Sequence, residues 1–529
     1  MMSKEFIHKN AIIDKGPPVR YQLRLKVENL DGPEEESRLR RCTLGEKVPG
    51  KPNKTILLVG ETGSGKSALI NTFVNFAMGV KKGDNEWFEI VDDTETERSG
   101  SVTSKVSVYE IFGLEGKTLP YSLTIIDTPG YGDTRGVEFD CLITQKLYDL
   151  FRSEDGVHEV HAVGLVLKAA DNRLSDRLMY IYDSVMSLFG KDVEGKIVAL
   201  ITHSDGMPPK TALKALQDAN TKCAKTEKDQ PVYFVFNNCL NTPITEETEF
   251  GLEQAWMVTT RGMKNFTAFL EKSTPQKLQT TVIVLNERIR LEACVNNLAD
   301  RVKTIKLKQA EIDQTQEILE THKEKLRTGE SFTLEVDEPY KEKEAIDGGM
   351  WLFWFGGAVT CSVCEENCHY PGCTMAWKPS LCEVMKGGRC TACTKKCPAE
   401  KHVKEKWRYV TKTRKVKKTI EEVKQTYQTG QKQSESLLKK LQSEKENLEK
   451  EKNRWLDEAY QHVVKLEQIA LSVDSVFTFI PLDFLIEMMK ERRDTEKVLK
   501  LEEIKNKVDK GVLANLRERF KNFGAKPMK

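Results

Sequence analysis

The stretch Gly60-Glu61-Thr62-Gly63-Ser64-Gly65-Lys66-Ser67 has the spacing G-x-x-x-x-G-K-[ST]. A loop of this kind holds polyphosphate. Its glycines let successive backbone N–H groups turn inward, its lysine reaches the outer phosphates, and its last hydroxyl ligates Mg²⁺. Ala68 supplies the next amide as a helix opens. Farther on, Asp127-Thr128-Pro129-Gly130 closes an apolar run that starts at Tyr121. Asp127 is expected to hold Mg²⁺ through water, and the Gly130 amide to sense a γ-phosphate. Between them, Thr103 is expected to close its hydroxyl on Mg²⁺; an ordinary polar loop residue is the alternative. Lys66 and Thr103 are therefore the side chains expected to act on a phosphoryl group, with Ser67, Thr103 and Asp127 around the Mg²⁺. In Thr202-His203-Ser204-Asp205 the carboxylate can accept from the N1 and N2 donors of guanine, a pair that adenine lacks. His203 stands where an [NT]-K-x-D motif has lysine, and its ring can stack on a base. Asn237 and Asn238 follow another apolar run and suit the base from its other side.

A second constellation lies near the middle of the chain. Cys361, Cys364, Cys368 and His369 have the spacing C-x2-C-x3-C-H; Cys373 and Cys382 follow singly; Cys390, Cys393, Cys397 and His402 repeat the knuckle as C-x2-C-x3-C-x4-H. A C-x2-C loop bends two thiolates onto one tetrahedral ion, so the array is expected to hold about two Zn²⁺ in closed, structural sites. A disulfide knot is the alternative and would require an oxidising compartment. The spacing does not match a RING module. With little apolar content of its own, the insert would draw its folding energy from metal. Met350-Trp351-Leu352-Phe353-Trp354-Phe355 precedes the first knuckle. This aromatic run either packs against the metal module, the favoured reading, or forms an exposed wedge for a membrane or a partner.

The elements that must position these groups are legible as apolar runs. Thr55–Val59, Tyr121–Ile126, Val163–Leu167, Lys196–Ile201 and Pro231–Phe236 read as buried strands around the phosphate loop. A helix through Met263, Phe266, Phe269 and Leu270 closes this α/β domain, and Pro275 ends it. Then Val284, Leu291, Leu298, Ile305, Ile312, Leu319 and Leu326 recur every seven residues, with Val295 and Val302 on the second seam. The pattern predicts a coiled-coil helix roughly 60 Å long. A weaker seam, Ile420, Val423, Tyr427, Leu437, Leu441, Leu448 and Trp455, predicts a returning helix that begins near Lys404. The expected order is an N-terminal extension (1–50), the phosphate-loop domain (51–273), a coiled-coil helix (276–340), the cysteine-rich zinc insert (341–403), a returning helix (404–460) and a C-terminal helical region (461–529). The helices are expected to pair as an antiparallel hairpin with the insert at its tip; two unrelated helices, or a parallel coil made by dimerisation, are the alternatives.

Composition narrows the function classes. The 529 residues carry 82 basic and 80 acidic side chains, a net charge of +2, which gives no support for nucleic-acid binding. No apolar signal region follows Met1, residue 2 is not glycine, Lys526-Pro527-Met528-Lys529 is no prenylation box, and no stretch approaches the roughly 18 apolar residues of a membrane span. A cytoplasmic protein is the expectation.

Ser101-Val102-Thr103, Asn172-Arg173-Leu174-Ser175 and Phe236-Asn237-Asn238 resemble the immunity-associated GIMAP/IAN GTPases. Asp127-Thr128-Pro129-Gly130-Tyr131-Gly132-Asp133 is also similar to septins, relatives in the same superclass. The resemblance covers about residues 51–273. A narrower similarity, to large fish GTPases with a cysteine-rich insert in a coiled coil, runs to about residue 470. It implies a six-stranded mixed sheet flanked by helices, GTP or GDP with Mg²⁺ as ligand, and GTP-dependent pairing into a homodimer or higher oligomer. It does not imply fast turnover, because Tyr131 stands where many GTPases place a water-orienting glutamine. The expected function is a guanine-nucleotide switch with slow hydrolysis and a zinc-tipped helical arm for a protein partner. The alternative is a scaffold that holds GTP or GDP structurally; an ATPase motor stands third.

Overall fold

The structure is a computed structural model that describes residues 10–31, 37–91, 105–114, 118–129, 137–171, 182, 185–218, 221–239, 242–328, 330–346, 357–373, 378–427, 437–472 and 476–508. The chain divides into two compact units: Met1–Leu285 with Ile469–Ser475 and Val508–Lys529, and Asn286–Gln468 with Val476–Lys507.

The first unit is built on an 8-stranded sheet. In chain order its strands are β1 (Lys26–Asn29), β2 (Leu39–Leu44), β3 (Asn53–Gly60), β4 (Val106–Ile111), β5 (Ser122–Asp127), β6 (Ala162–Lys168), β7 (Ile197–Thr202) and β8 (Tyr233–Val235). They lie in the order β8-β7-β6-β3-β5-β4-β2-β1. Pairings are parallel except β4 with β5 and β1 with β2. Helices α1 (Lys66–Met78), α2 (Val137–Arg152), α3 (Lys210–Asp218) and α4 (Glu249–Lys272) accompany the sheet. The central strands are buried along nearly their whole length, which is why they read as continuous apolar runs rather than alternating ones. Phe73 of α1 stacks on Phe266 of α4 at 5.5 Å, and its edge meets Phe236 beyond β8 at 6.2 Å.

The sheet corrects the expected count of six strands. The segment read as an N-terminal extension supplies β1 and β2, and β2 runs parallel beside β4 with Leu39 opposite Val106. Leu39, Cys42 and Leu44 are buried there. Asp31, just beyond β1, meets Lys146 of α2 at 2.8 Å, with both side chains buried.

In the second unit the predicted helix is α5 (Gln279–Thr321), and the boundary between the units falls inside it. Leu291, Leu298, Ile305, Ile312 and Leu319 are buried, as the seven-residue seam requires. After the short α6 (Lys323–Thr328) the chain departs from expectation. β9 (Thr333–Ala345) and β15 (Trp407–Thr419) form a long antiparallel ribbon, although helix is the expectation over 333–340 and 407–419 and the insert over 341–345. Between them lie β10 (Gly357–Cys361), β11 (Glu366–Cys373), β12 (Met385–Lys386), β13 (Arg389–Cys390) and β14 (His402–Glu405). The returning helices are α7 (Ile420–Tyr427) and α8 (Leu437–Ile469), followed by α9 (Val476–Arg492) and α10 (Thr495–Val508). α8 runs antiparallel to α5, with Lys445 on Asp313 at 2.7 Å and Lys465 on Glu287 at 2.6 Å.

The ribbon follows from charge and β-propensity. β9 carries Glu335, Asp337, Glu338, Glu342 and Glu344, while β15 carries Arg408, Lys412, Arg414, Lys415 and Lys418 among β-branched and aromatic residues. Register sets Glu344 opposite Arg408 and Glu338 opposite Arg414, with ion pairs at 3.4 and 2.8 Å. The ribbon runs back along α5: Lys418 meets Glu311 at 2.8 Å, Thr304 meets Thr411 at 2.8 Å, and Asn367 meets Asp300 at 3.1 Å. The cysteine module therefore packs beside residues 290–301 of α5 and is not carried at the hairpin's tip. The aromatic run Trp351–Phe355 lies outside the described residues.

Candidate nucleotide site and cysteine cluster

The phosphate loop joins β3 to α1 and is shaped by close backbone approach. A Cβ on Gly60 would stand 2.4 Å from the Val166 carbonyl oxygen of β6, so only glycine fits. Gly63 and Gly65 have φ of +77° and +90°, the left-handed region that glycine occupies without strain. Gly65 caps α1, so the amides of Lys66, Ser67 and Ala68 open the helix and leave backbone donors for an anion.

Lys66 is buried and donates to the carbonyls of Gly60 at 2.8 Å and Glu61 at 3.0 Å. Burial pulls its ammonium down to about 8, partly offset by the charges of Asp127 and Glu61. Asp127 is buried at the end of β5, whose register sets it beside Leu58 of β3. Thr62 Oγ1 and Ser64 Oγ are buried with no hydrogen-bond partner among the described residues. A loop with free inward donors, a buried ammonium and a carboxylate for Mg²⁺ fits a nucleotide polyphosphate. Thr103 and Gly130 lie outside the described residues, as do Asn172-Arg173-Leu174-Ser175.

The base-reading segment is tied to this loop. Thr202 Oγ1, at the end of β7, donates to the Ser64 carbonyl at 2.6 Å. His203 is exposed with φ of +51°, its Nδ1 3.1 Å from Thr202 Oγ1. Asp205 is exposed, and its carboxylate accepts from the Met207 amide at 2.9 Å. Asn237 exchanges hydrogen bonds with Thr259 of α4, its amide donating at 3.0 Å and its carbonyl accepting at 2.7 Å. Asn238 accepts from Thr72 of α1 at 3.3 Å, and its side-chain nitrogen is buried without a partner. The Thr202–Ser64 bond was not foreseen; the hydroxyl that opens the Thr202–Asp205 motif was its signal.

Within the second unit, the Sγ atoms of Cys361, Cys364, Cys393 and Cys397 lie within 4.8 Å of one another, as do the ligand atoms of Cys368, Cys390, Cys393 and His402. Cys393 belongs to both groups. None of the described cysteines forms a disulfide. Backbone amides point at the sulfurs: Cys364 to Cys361 at 3.4 Å, Cys393 to Cys390 at 3.3 Å and Cys397 to Cys393 at 3.1 Å. Such donors favour thiolates. His402 Nδ1 lies 2.9 Å from the Pro398 carbonyl, while its Nε2 is buried with no hydrogen-bond partner among the described residues. That hydrogen bond fixes the tautomer and leaves Nε2 as a lone-pair donor, the usual arrangement of a metal-ligating imidazole. The donor set fits Zn²⁺. His369 and Cys382 stand outside both groups, and the side chain of Cys373 lies outside those described.

A phosphate loop between a strand and a helix N-terminus, with a buried lysine opening the helix and a buried carboxylate ending the neighbouring parallel strand, defines a P-loop nucleotide-binding domain. Residues 54–247 match the AIG1 family, and this segment is a P-loop GTPase domain of the AIG1, immune-associated type. Two relatives from Arabidopsis thaliana are similar to the chain. Immune-associated nucleotide-binding protein 12 is 24% identical over 208 residues, 38% of this chain and 46% of the relative. Immune-associated nucleotide-binding protein 13 is 24% identical over 200 residues, 37% of this chain and 52% of the relative. The chain thus spans about half the length of these curated relatives. Among solved structures, Toc33 from Arabidopsis thaliana in complex with Mg²⁺ and GMPPNP is 17% identical, covering 42% of this chain and 88% of that one, with a TM-score of 0.29. Toc33 in complex with GDP and Mg²⁺ is 14% identical, covering 42% and 86%, with a TM-score of 0.28. No helix among the described residues is long and apolar enough to cross a membrane.

Proposed function

We propose that the first unit is a guanine-nucleotide switch that hydrolyses GTP slowly. One observation carries the reading: the Thr202 hydroxyl bonds directly to the phosphate loop at Ser64, which links the base-reading segment to the polyphosphate cradle. Lys66 would contact the β and γ phosphates, Ser67 and Asp127 would hold Mg²⁺ with Thr103, and Gly130 would sense the γ-phosphate. Asp205 would read guanine, with His203 stacked on the base and Asn237 and Asn238 opposite. Mg²⁺ would neutralise charge on the phosphates; the chain's own groups bind and orient them. Pairing of two such domains would complete a site in which Tyr131 replaces the water-orienting glutamine. In the second unit, about two Zn²⁺ would share the Cys393 thiolate between the two donor groups and hold the module closed. The orphaned Nε2 of His402 supports that assignment. The helical arm would then present a rigid surface to a protein partner.

Binding of GTP and ATP with Mg²⁺ by the full chain tests the first part. GTP should be strongly preferred, and Asp205→Asn should move the preference toward xanthosine nucleotides, because an amide can donate to the xanthine oxygen that a carboxylate repels. Equal affinity for ATP and GTP would sink the guanine reading. Turnover per subunit that stays constant as protein concentration rises would remove pairing, and no turnover at any concentration would favour a scaffold.

A further inference from the structure

His369, Cys382 and Glu383 form a third donor group, apart from the two cysteine clusters. Their ligand atoms lie within 4.8 Å of one another and all three residues are buried. His369 Nδ1 is 3.2 Å from Cys382 Sγ and 3.7 Å from Glu383 Oε2. Donors around one tetrahedral Zn²⁺, at bond lengths of about 2.0–2.3 Å, are separated by roughly 3.3–3.8 Å, so these spacings suit a single ion. The supporting frame is fixed. His369 follows Cys368 on β11 and points its ring to a different group from its neighbour's sulfur, as alternation along a strand requires. The Glu383 backbone carbonyl accepts from Arg290 Nε of α5 at 3.0 Å, and Ala293 of α5 packs into the module's core.

We infer that His369, Cys382 and Glu383 bind a third Zn²⁺, in a site chemically unlike the other two. Those are thiolate-rich and closed. Among the described residues this one offers one nitrogen, one sulfur and one carboxylate, a mixed set of donors that Zn²⁺ takes.

The inference rests on the reading that the module folds around metal, and a metal count separates the two. Full-length protein purified with zinc should contain about three ions per chain, and Cys382→Ser and Glu383→Gln should each lower the count by about one. Replacing zinc with Co²⁺ adds a signature independent of the count: loss of this site should remove a single-thiolate absorption and leave the intense multi-thiolate bands. A wild-type count of two that neither substitution changes, with unaltered cobalt spectra, overturns the third site alone. A wild-type count of zero overturns both readings.

Discussion

Arg301 of α5 offers the sharpest test of how the second unit is held together. Its guanidinium meets Glu366 of β11 in a two-pronged pair, Nη2 to Oε2 at 2.7 Å and Nε to Oε1 at 3.2 Å, with side-chain exposures of 6% and 8%. It also donates to the Ala392 carbonyl at 2.5 Å and lies 4.4 Å above the Trp455 ring of α8. One side chain thus joins α5, α8 and the cysteine module. Arg301→Met keeps much of the stem's volume and strands a buried carboxylate. Removing one partner of a buried pair costs about 3–5 kcal/mol, and the Glu366 bonds from Thr394 and Asn297 place the estimate near the lower end. With a urea slope of about 3 kcal/mol/M, the midpoint should fall by roughly 1 M. The penalty should also depend on pH with a defined sign. Burial pushes the Glu366 carboxyl up, but Arg301 and Thr394 hold it below its ordinary value of 4.5 in the wild type. The wild-type pair therefore contributes fully above about pH 4.5 and fades as pH falls through the depressed value. In the variant the carboxyl, deprived of its guanidinium, takes up a proton more readily, so the difference between the proteins should narrow in acid. Urea titration followed by hydrogen exchange on residues 366–373 and 392–394 reads both effects. A midpoint shift below about 0.3 M at neutral pH would refute the reasoning, because it would mean that water already reaches the pair.

Five further outcomes are expected. Lys66→Ala should weaken nucleotide binding at least tenfold without moving the thermal midpoint by more than a few degrees. In the wild type, affinity should decline as pH rises through about 8, where the free ammonium is lost, and calorimetry above that pH should record proton uptake on binding. Glu287 is held down to about 2 because the charges and hydrogen bonds of His462, Lys465 and Arg290 outweigh its burial, so stability present above about pH 4.5 should drain away toward pH 2, a slope that Glu287→Gln should remove from an acid titration. Gly262→Ala should cost about 1–3 kcal/mol, since the added Cβ would meet the Val235 carbonyl oxygen at 2.0 Å and force α4 off β8. Chelation of zinc should raise hydrogen exchange across residues 357–405 while GTP binding stays unchanged; loss of GTP binding would contradict the division into separate units.

The phosphate-loop domain was legible because its strands are buried on both faces and its chemistry sits at strand ends. Ile56–Val59 and Ile197–Ile201 are unbroken apolar runs, and a motif attached to such a run has one direction to point. The seam of α5 was legible for a related reason: Leu291, Leu298 and Ile305 repeat over many turns, beyond what a short element can mimic. β1 and β2 were missed because they are short and lie toward one edge, where Arg40, Arg41 and Thr43 break the apolar signal. The ribbon was missed because lysine and glutamate suit a helix surface as well as a strand. Its signals were Pro339, which a helix interior resists, and the run of Tyr409, Val410, Thr411 and Thr413. The sharing of Cys393 and the part of Glu383 were not readable at all, since spacing along the chain does not say which knuckle faces which.

The ribbon decides what the cysteine module can be. Had residues 333–345 and 407–419 extended the helices, each residue would have carried the insert about 1.5 Å farther out, and the module would have ended the arm. As a paired ribbon the same residues return it along α5, where Asn297, Asp300 and Arg301 grip Ala392, Asn367 and Glu366. Arg301 meets α8 through Trp455 at the same level, and Lys396 of the module pairs with Glu458 one turn farther along α8. The module is therefore wedged against two antiparallel helices, its sulfurs enclosed and its outer surface formed by Lys395, Glu400 and Lys401. A module so placed can stiffen the helix pair, and a change in its fold would reach the packing of both helices.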